Sequence, residues 1–107
     1  MSDQPIDWAH LDLYTASDPV LERELLDLFV ATAPDYIARM TAAAENKKWR
    51  EAAHGLKGAA SAIGARPLAA LAAAAERVVP TGAARRETLI QLDGAMADIR
   101  RSIASRR

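Results

Sequence analysis

Residues 49–63 carry two stripes of side chains that together predict a helix with one buried and one exposed face. The apolar stripe has alternating spacings of four and three, and it comprises Trp49, Ala53, Leu56, Ala60 and Ile63. This spacing is typical of an amphipathic α-helix that packs on a core. The second stripe comprises Arg50, His54, Lys57, Gly58 and Ser61. At about 100° per residue it lies roughly 150° from the centre of the apolar stripe, so we expect His54 to face away from the core, with Lys57 one turn further along.

Two glycines, Gly55 and Gly58, lie inside this helical pattern. Each costs about 1 kcal/mol relative to alanine at such a position. The chain uses alanine freely elsewhere, so the need for a small residue does not by itself explain them. We interpret Gly58 as clearing space beside the imidazole of His54 for a bulky partner. Close packing of a neighbouring helix is the alternative for both glycines, and it fits Gly58 less well because Gly58 lies on the predicted outer face.

The rest of the chain predicts further helices and no strand. Residues 6–14 suggest a short helix or lid, and longer amphipathic segments cover residues 19–45, 66–79 and 84–104. Short connections join them, and Asn46-Lys47-Lys48 is interpreted as one of these. We therefore predict an all-α, up-down-up-down four-helix bundle, with the short N-terminal element at one end and the first arm kinked near Pro34. Gly94, in the last segment, is interpreted as a close helix crossing.

Composition and charge narrow the possible functions. The 107 residues form one domain by length, residues 1–107, and 14 basic side chains balance 14 acidic ones. This balance argues against nucleic-acid binding through a basic surface. Cysteine is absent, which excludes disulfides, thiolate metal sites and a cysteine nucleophile. No membrane span or signal peptide is evident, so we expect a cytoplasmic protein. A free-standing bundle with a closed core gives no reason to require a dimer, so we also expect a monomer.

The order His54-x-Leu56-Lys57-Gly58-(five residues)-Gly64-Ala65 resembles the signature of the histidine-containing phosphotransfer (HPt) domain family. The resemblance extends over nearly the whole chain, through the residues Asp18-Pro19, Phe29, Pro34, Trp49 and Glu76. It implies a phosphorelay intermediate that accepts a phosphoryl group on His54 from a receiver-domain aspartate and passes it to another receiver domain. It also implies response-regulator receiver domains and a hybrid histidine kinase as partners. The receiver domain would supply Mg²⁺, and this chain would hold no cofactor or metal of its own.

The chemistry of the second stripe fits that role. An unperturbed imidazole has a pKa of about 6.5, so His54 offers a neutral nitrogen nucleophile at pH 7. We expect Lys57 to stabilise the charge on the phosphoryl oxygens, and Arg50 to widen the positive field. Ser61 is a candidate for hydrogen bonding to the phosphoryl group or to Lys57.

Other functions fit the sequence less well. In the dimerisation and phosphoacceptor segment of a histidine kinase an acidic residue usually follows the histidine, whereas Gly55 follows His54 here. A Gly-rich phosphate loop is also lacking, so we expect a carrier and not an enzyme. Two histidines and no cysteine provide no plausible hydrolase triad. A helical adaptor that docks on signalling proteins without carrying phosphate remains open.

Overall fold

The computed structural model describes residues 4–77 and 81–106, and regular structure within those ranges is entirely helical. The five helices are α1 (Trp8–Thr15), α2 (Pro19–Ala42), α3 (Asn46–Ala62), α4 (Arg66–Arg77) and α5 (Gly82–Arg106). The all-α prediction is confirmed. Val78 and Val79, which end the third predicted segment, lie outside the described residues, as does Pro80. None of the described helices combines the length and the hydropathy needed to cross a bilayer.

Side-chain caps explain where three of the helices begin. The Asp18 carboxylate accepts hydrogen bonds from the backbone N–H groups of Val20 and Leu21, at 2.9 and 3.3 Å, and Pro19 takes the first helical position. Asp7 accepts from the N–H of His10 at 3.1 Å, and the Thr81 hydroxyl accepts from Ala84 at 3.1 Å. Each cap satisfies a backbone donor that has no partner inside its own helix.

The end of α2 and the start of α3 differ from the prediction. Helix α2 ends at Ala42, and Asn46–Lys48 form the first turn of α3 instead of a loop. The connection is residues 43–45, where Ala43 and Glu45 have extended backbones. The prediction was wrong because an exposed first helical turn accepts the same polar residues as a loop. Helix α2 continues through Pro34 without a break, and the kink there stays a prediction.

The last four helices form the bundle. Helix α3 packs on α2, α4 packs on α3, and α5 packs on both α4 and α2. Helix α1 packs on α2. The inner face of α3 is buried, including Trp49, Ala53, Leu56 and Ala60, which are fully inaccessible. The indole N–H of Trp49 donates to the carbonyl of Ala75 in α4 at 2.9 Å, so the one polar atom of this core side chain is satisfied.

The turn between α3 and α4 depends on a glycine. Gly64 has a φ of +76°, which favours glycine, and a Cβ there would lie 3.1 Å from the carbonyl oxygen of Asp7. The N–H of Asp7 donates to the carbonyl of Gly64 at 2.8 Å, and the Asp7 carboxylate pairs with Arg66 at 2.9 Å. The hydrogen bond from the His10 N–H, and then Arg66, lower the pKa of Asp7. These contacts attach the start of α1 to the end of α3.

Candidate functional site

His54 lies in the middle of α3, on the face opposite the core. Its side chain is 72% exposed, whereas its neighbours Ala53 and Leu56 are fully buried. The orientation predicted from the two stripes is therefore confirmed. An imidazole at this position is accessible to a folded protein as well as to small molecules.

Glu76, in the last turn of α4, lies between the imidazole and the lysine of the second stripe. Its Oε1 atom is 3.2 Å from Nδ1 of His54 and 3.5 Å from Nζ of Lys57. The carboxylate is the most enclosed of the three groups, with 24% of its side chain exposed against 38% for Lys57. Because exposed ion pairs contribute little to stability, we expect these contacts to act on the orientation of the imidazole more than on the stability of the fold.

The position of Glu76 determines which nitrogen of His54 can act as a nucleophile. A carboxylate oxygen accepts hydrogen bonds, so the neutral imidazole donates its proton from Nδ1 to Glu76. We infer this tautomer from the partner, because only a protonated ring nitrogen can donate to a carboxylate. The lone pair is then on Nε2, and no protein partner of Nε2 is recorded within residues 4–77 and 81–106.

Sequence reasoning assigned no role to Glu76, although it counted this residue in the family resemblance. Half of the residues in the helix that carries it are alanine, and Glu76 is 22 residues from His54 in the chain. One signal was available, since Glu76 is the single acidic residue of α4. Only the packing of α4 on α3 shows that this carboxylate reaches the imidazole.

The structure distinguishes the two glycines of α3. At Gly58 a Cβ would meet no heavy atom within 4 Å, which agrees with the open space predicted beside His54. At Gly55 a Cβ would overlap the ring of Tyr36, with Cδ1 and Cζ of that ring only 2.9 Å away. Close helix packing is therefore the explanation at Gly55. Gly94 is also in open space, so the predicted helix crossing there is wrong.

Arg50 and Ser61 complete the second stripe on the outer face of α3. Arg50 and Ser61 are exposed. In the described part of the chain, neither has a side-chain hydrogen bond or ion pair with His54, Lys57 or Glu76. Their predicted roles, in the positive field and in hydrogen bonding, stay predictions.

A family model for the Hpt domain matches residues 24–104, which is most of the chain. This chain belongs to the Hpt domain family. The match begins inside α2, so α1 and the first turn of α2 lie outside it. Searches among curated proteins and among solved structures found no match.

Family membership gives the class of function. Hpt domains are phosphotransfer carriers without kinase activity, and they interact with the receiver and kinase proteins of phosphorelays. The described residues contain no group of three or more histidine, cysteine, aspartate or glutamate side chains suited to hold a metal ion. The cluster at His54 has one carboxylate and one ammonium beside the imidazole.

Proposed function

We propose that this protein is a phosphorelay intermediate in which His54 accepts a phosphoryl group from an aspartate of one receiver domain and passes it to another. The observation that carries the proposal is the exposed imidazole with its Nδ1 atom 3.2 Å from Glu76. This arrangement directs the nucleophilic lone pair to Nε2, on a side chain that is 72% exposed. A folded donor domain needs that exposure to bring its phosphoryl group within reach.

In the proposed step, Nε2 of His54 bonds to phosphorus while the bond between phosphorus and the aspartate oxygen breaks. The aspartate leaves as a carboxylate, and the proton on Nδ1 stays in place. The imidazole ring gains positive charge, which the carboxylate of Glu76 stabilises through its hydrogen bond. Lys57 lies beside the same carboxylate and offers its ammonium to the phosphoryl oxygens.

Transfer to a second receiver domain is the reverse reaction with a different aspartate. The Glu76 carboxylate contacts the ring at Nδ1 and not at the phosphorylated Nε2, so it is not in position to take the phosphoryl group. We propose that Mg²⁺ comes from the receiver domain, as the resemblance to the family implies. No step assigned to residues of this chain depends on that ion.

The test compares the two histidines of the chain. Receiver domains of the source organism, each phosphorylated with acetyl phosphate, are mixed with the unmodified protein and with the His54→Gln and His10→Gln variants. We expect acid-labile, base-stable label on the unmodified protein and on His10→Gln, and none on His54→Gln. His10 is a suitable control because it is half-buried beside the turn between α3 and α4.

Two results would overturn the proposal. Label on His54→Gln would show that another residue accepts the phosphoryl group. Failure of every receiver domain to label the unmodified protein would favour the helical adaptor that carries no phosphate.

A further inference from the structure

Polar contacts hold both ends of α1 against the bundle. At its start, the N–H of Asp7 donates to the carbonyl of Gly64, and the Asp7 carboxylate pairs with Arg66. Further along the helix, Arg106 of α5 reaches across to it. Among the described residues, the backbone of α1 comes close to that of α2 and not to that of any other helix. The attachment of α1 to α5 is therefore made by side chains.

The guanidinium of Arg106 joins three helices. Its Nη2 atom is 3.2 Å from Oδ1 of Asp12 in α1 and 3.8 Å from Oε1 of Glu22 in α2. The guanidinium carbon lies 4.4 Å from the centre of the Trp8 ring in α1, which is a cation–π contact. The Glu22 side chain is only 16% exposed, so water screens this pair less than it screens a surface ion pair. These contacts make Arg106 a clasp between α5 and α1.

The connection from α1 to α2 has an unusual backbone. Ala16 and Ser17 have φ angles of +52° and +59°, in the left-handed region, and neither is glycine. A Cβ makes this conformation unfavourable, so two such residues in a row persist only where the surrounding structure holds them. The N–H of Ser17 donates to the carbonyl of Asp12 at 2.9 Å, and that of Asp18 donates to Thr15 at 3.0 Å. The position of α1 is thus held against the local preference of its own connection.

Helix α1 covers apolar surface at this end of the bundle. Leu11 is fully buried, and Trp8 packs on the core while it is itself only partly buried. A groove of about 210 Å³ lies between α1, α2 and α5, and its lining includes Trp8, Leu26 and Ile103. Arg106 belongs to the same lining. Movement of α1 away from α2 and α5 would therefore expose Leu11 and open this groove.

We infer that α1 is a hinged lid on this end of the bundle, which turns about Ala16 and Ser17 and is kept closed by Arg106. The lid is independent of the proposed function. Opening lets two left-handed residues relax, so it recovers free energy that the closed state stores in the connection. The ion pairs of the clasp are partly exposed, so added salt weakens them. The closed fraction therefore falls as the ionic strength rises.

Hydrogen exchange of backbone amides, measured by NMR, tests the lid one helix at a time. The variant that removes the clasp is Arg106→Gln. Its control is Arg101→Gln, which removes the same charge from α5 but breaks an ion pair with Asp98 inside that helix. A third variant, Ala16→Gly, introduces a residue that adopts the left-handed conformation at no steric cost. Each protein is measured in about 20 mM and about 500 mM sodium chloride.

We expect Arg106→Gln to lower the protection factors of the α1 amides about 10-fold in low salt, because opening no longer breaks the clasp. The amides of α3, and all amides of the Arg101→Gln control, should change by less than about twofold. In the unmodified protein, high salt should lower protection in α1 about threefold, and Arg106→Gln should lose this salt effect. Ala16→Gly should raise protection in α1 about threefold, because its closed state carries less strain.

Four results would overturn the inference. Equal loss of protection in α1 and α3 of Arg106→Gln would show a loss of overall stability and no separate lid. Unchanged protection in α1 of that variant would show that the clasp does not hold α1. Unchanged or lower protection in α1 of Ala16→Gly would show that the left-handed backbone does not oppose closure. If Arg106→Gln does not fold, the unmodified protein decides, and an α1 that is insensitive to salt would contradict the lid.

The lid and the proposed function fail separately. The exchange measurements use no phosphoryl donor, so their outcome leaves the assignment of His54 unchanged. Failure of every receiver domain to label His54 would equally leave the lid unchanged.

Discussion

Gly55 and Gly58 lie on two different sides of α3, and the surroundings of the two glycines differ. Gly55 faces α2, where the Tyr36 ring occupies the place of a side chain, whereas Gly58 faces solvent with no atom near it. Each glycine costs helix stability of about 1 kcal/mol. On the α2 side the cost is offset by close packing inside the protein. On the outer side nothing inside the protein offsets it, so we infer that the space serves a partner.

Filling the outer space should produce the largest effect. We expect Gly58→Leu to lower kcat/KM for transfer from a phosphorylated receiver by about 100-fold, because the added side chain holds the donor away from Nε2 of His54. The free energy of unfolding should stay the same or rise, since leucine favours the helix. Phosphotransfer assays measure kcat/KM, and urea unfolding measures the free energy of unfolding.

The matched control for that substitution is Gly94→Leu, because Gly94 is also an exposed mid-helix glycine with open space around it. It should leave transfer unchanged. Normal transfer by Gly58→Leu, or an equal loss of transfer in Gly94→Leu, would show that the open space at Gly58 does not serve a partner.

Filling the inner space should affect stability instead. We expect Gly55→Ala to lower the free energy of unfolding by about 1–2 kcal/mol, because the new methyl group displaces the Tyr36 ring. In a Tyr36→Ala background the same substitution should stabilise the protein by about 1 kcal/mol, since only the helix propensity remains. Denaturant unfolding of the four proteins completes this cycle. Equal effects in both backgrounds would show that the ring does not constrain Gly55.

Removing the cation beside Glu76 should have the smallest effect. We expect Lys57→Ala to slow phosphotransfer about fivefold, which corresponds to about 1 kcal/mol in the barrier, because a half-exposed ammonium is screened by water. Helical content, measured by circular dichroism, should be nearly unchanged. Lys47→Ala, in the first turn of the same helix, is the control for loss of one positive charge. A large loss of helix in Lys57→Ala would contradict its place on the surface.

The faces of α3 were predictable because they depend on local geometry. The period of an α-helix places Leu56 inward and His54 outward whatever the rest of the chain does. The cap at Asp18 and the glycine at the end of α3 also depend only on neighbouring residues in the chain, and the structure contains both. The predicted start of α3 was three residues too late, because Asn46–Lys48 suit an exposed helical turn as well as a loop.

The family motif extended that local prediction to chemistry. His54, Leu56, Lys57, Gly58, Gly64 and Ala65 lie within one helix and the turn that follows, so their relative positions follow from the sequence order. The family match over residues 24–104 agrees with this interpretation. The roles of His54, Lys57, Gly58 and Ser61 stay predictions until transfer is measured.

The sequence by itself determined an all-α chain with an outward-facing His54 and Lys57 on one side of a helix, because helical periodicity and turn chemistry act over a few residues. Only the tertiary structure decided that Glu76 hydrogen-bonds Nδ1 and that Tyr36 requires Gly55. It also decided that Arg106 of α5 reaches Asp12 of α1. These features join residues on different helices, and their distances depend on how the helices pack. No local spacing in the chain encodes that packing.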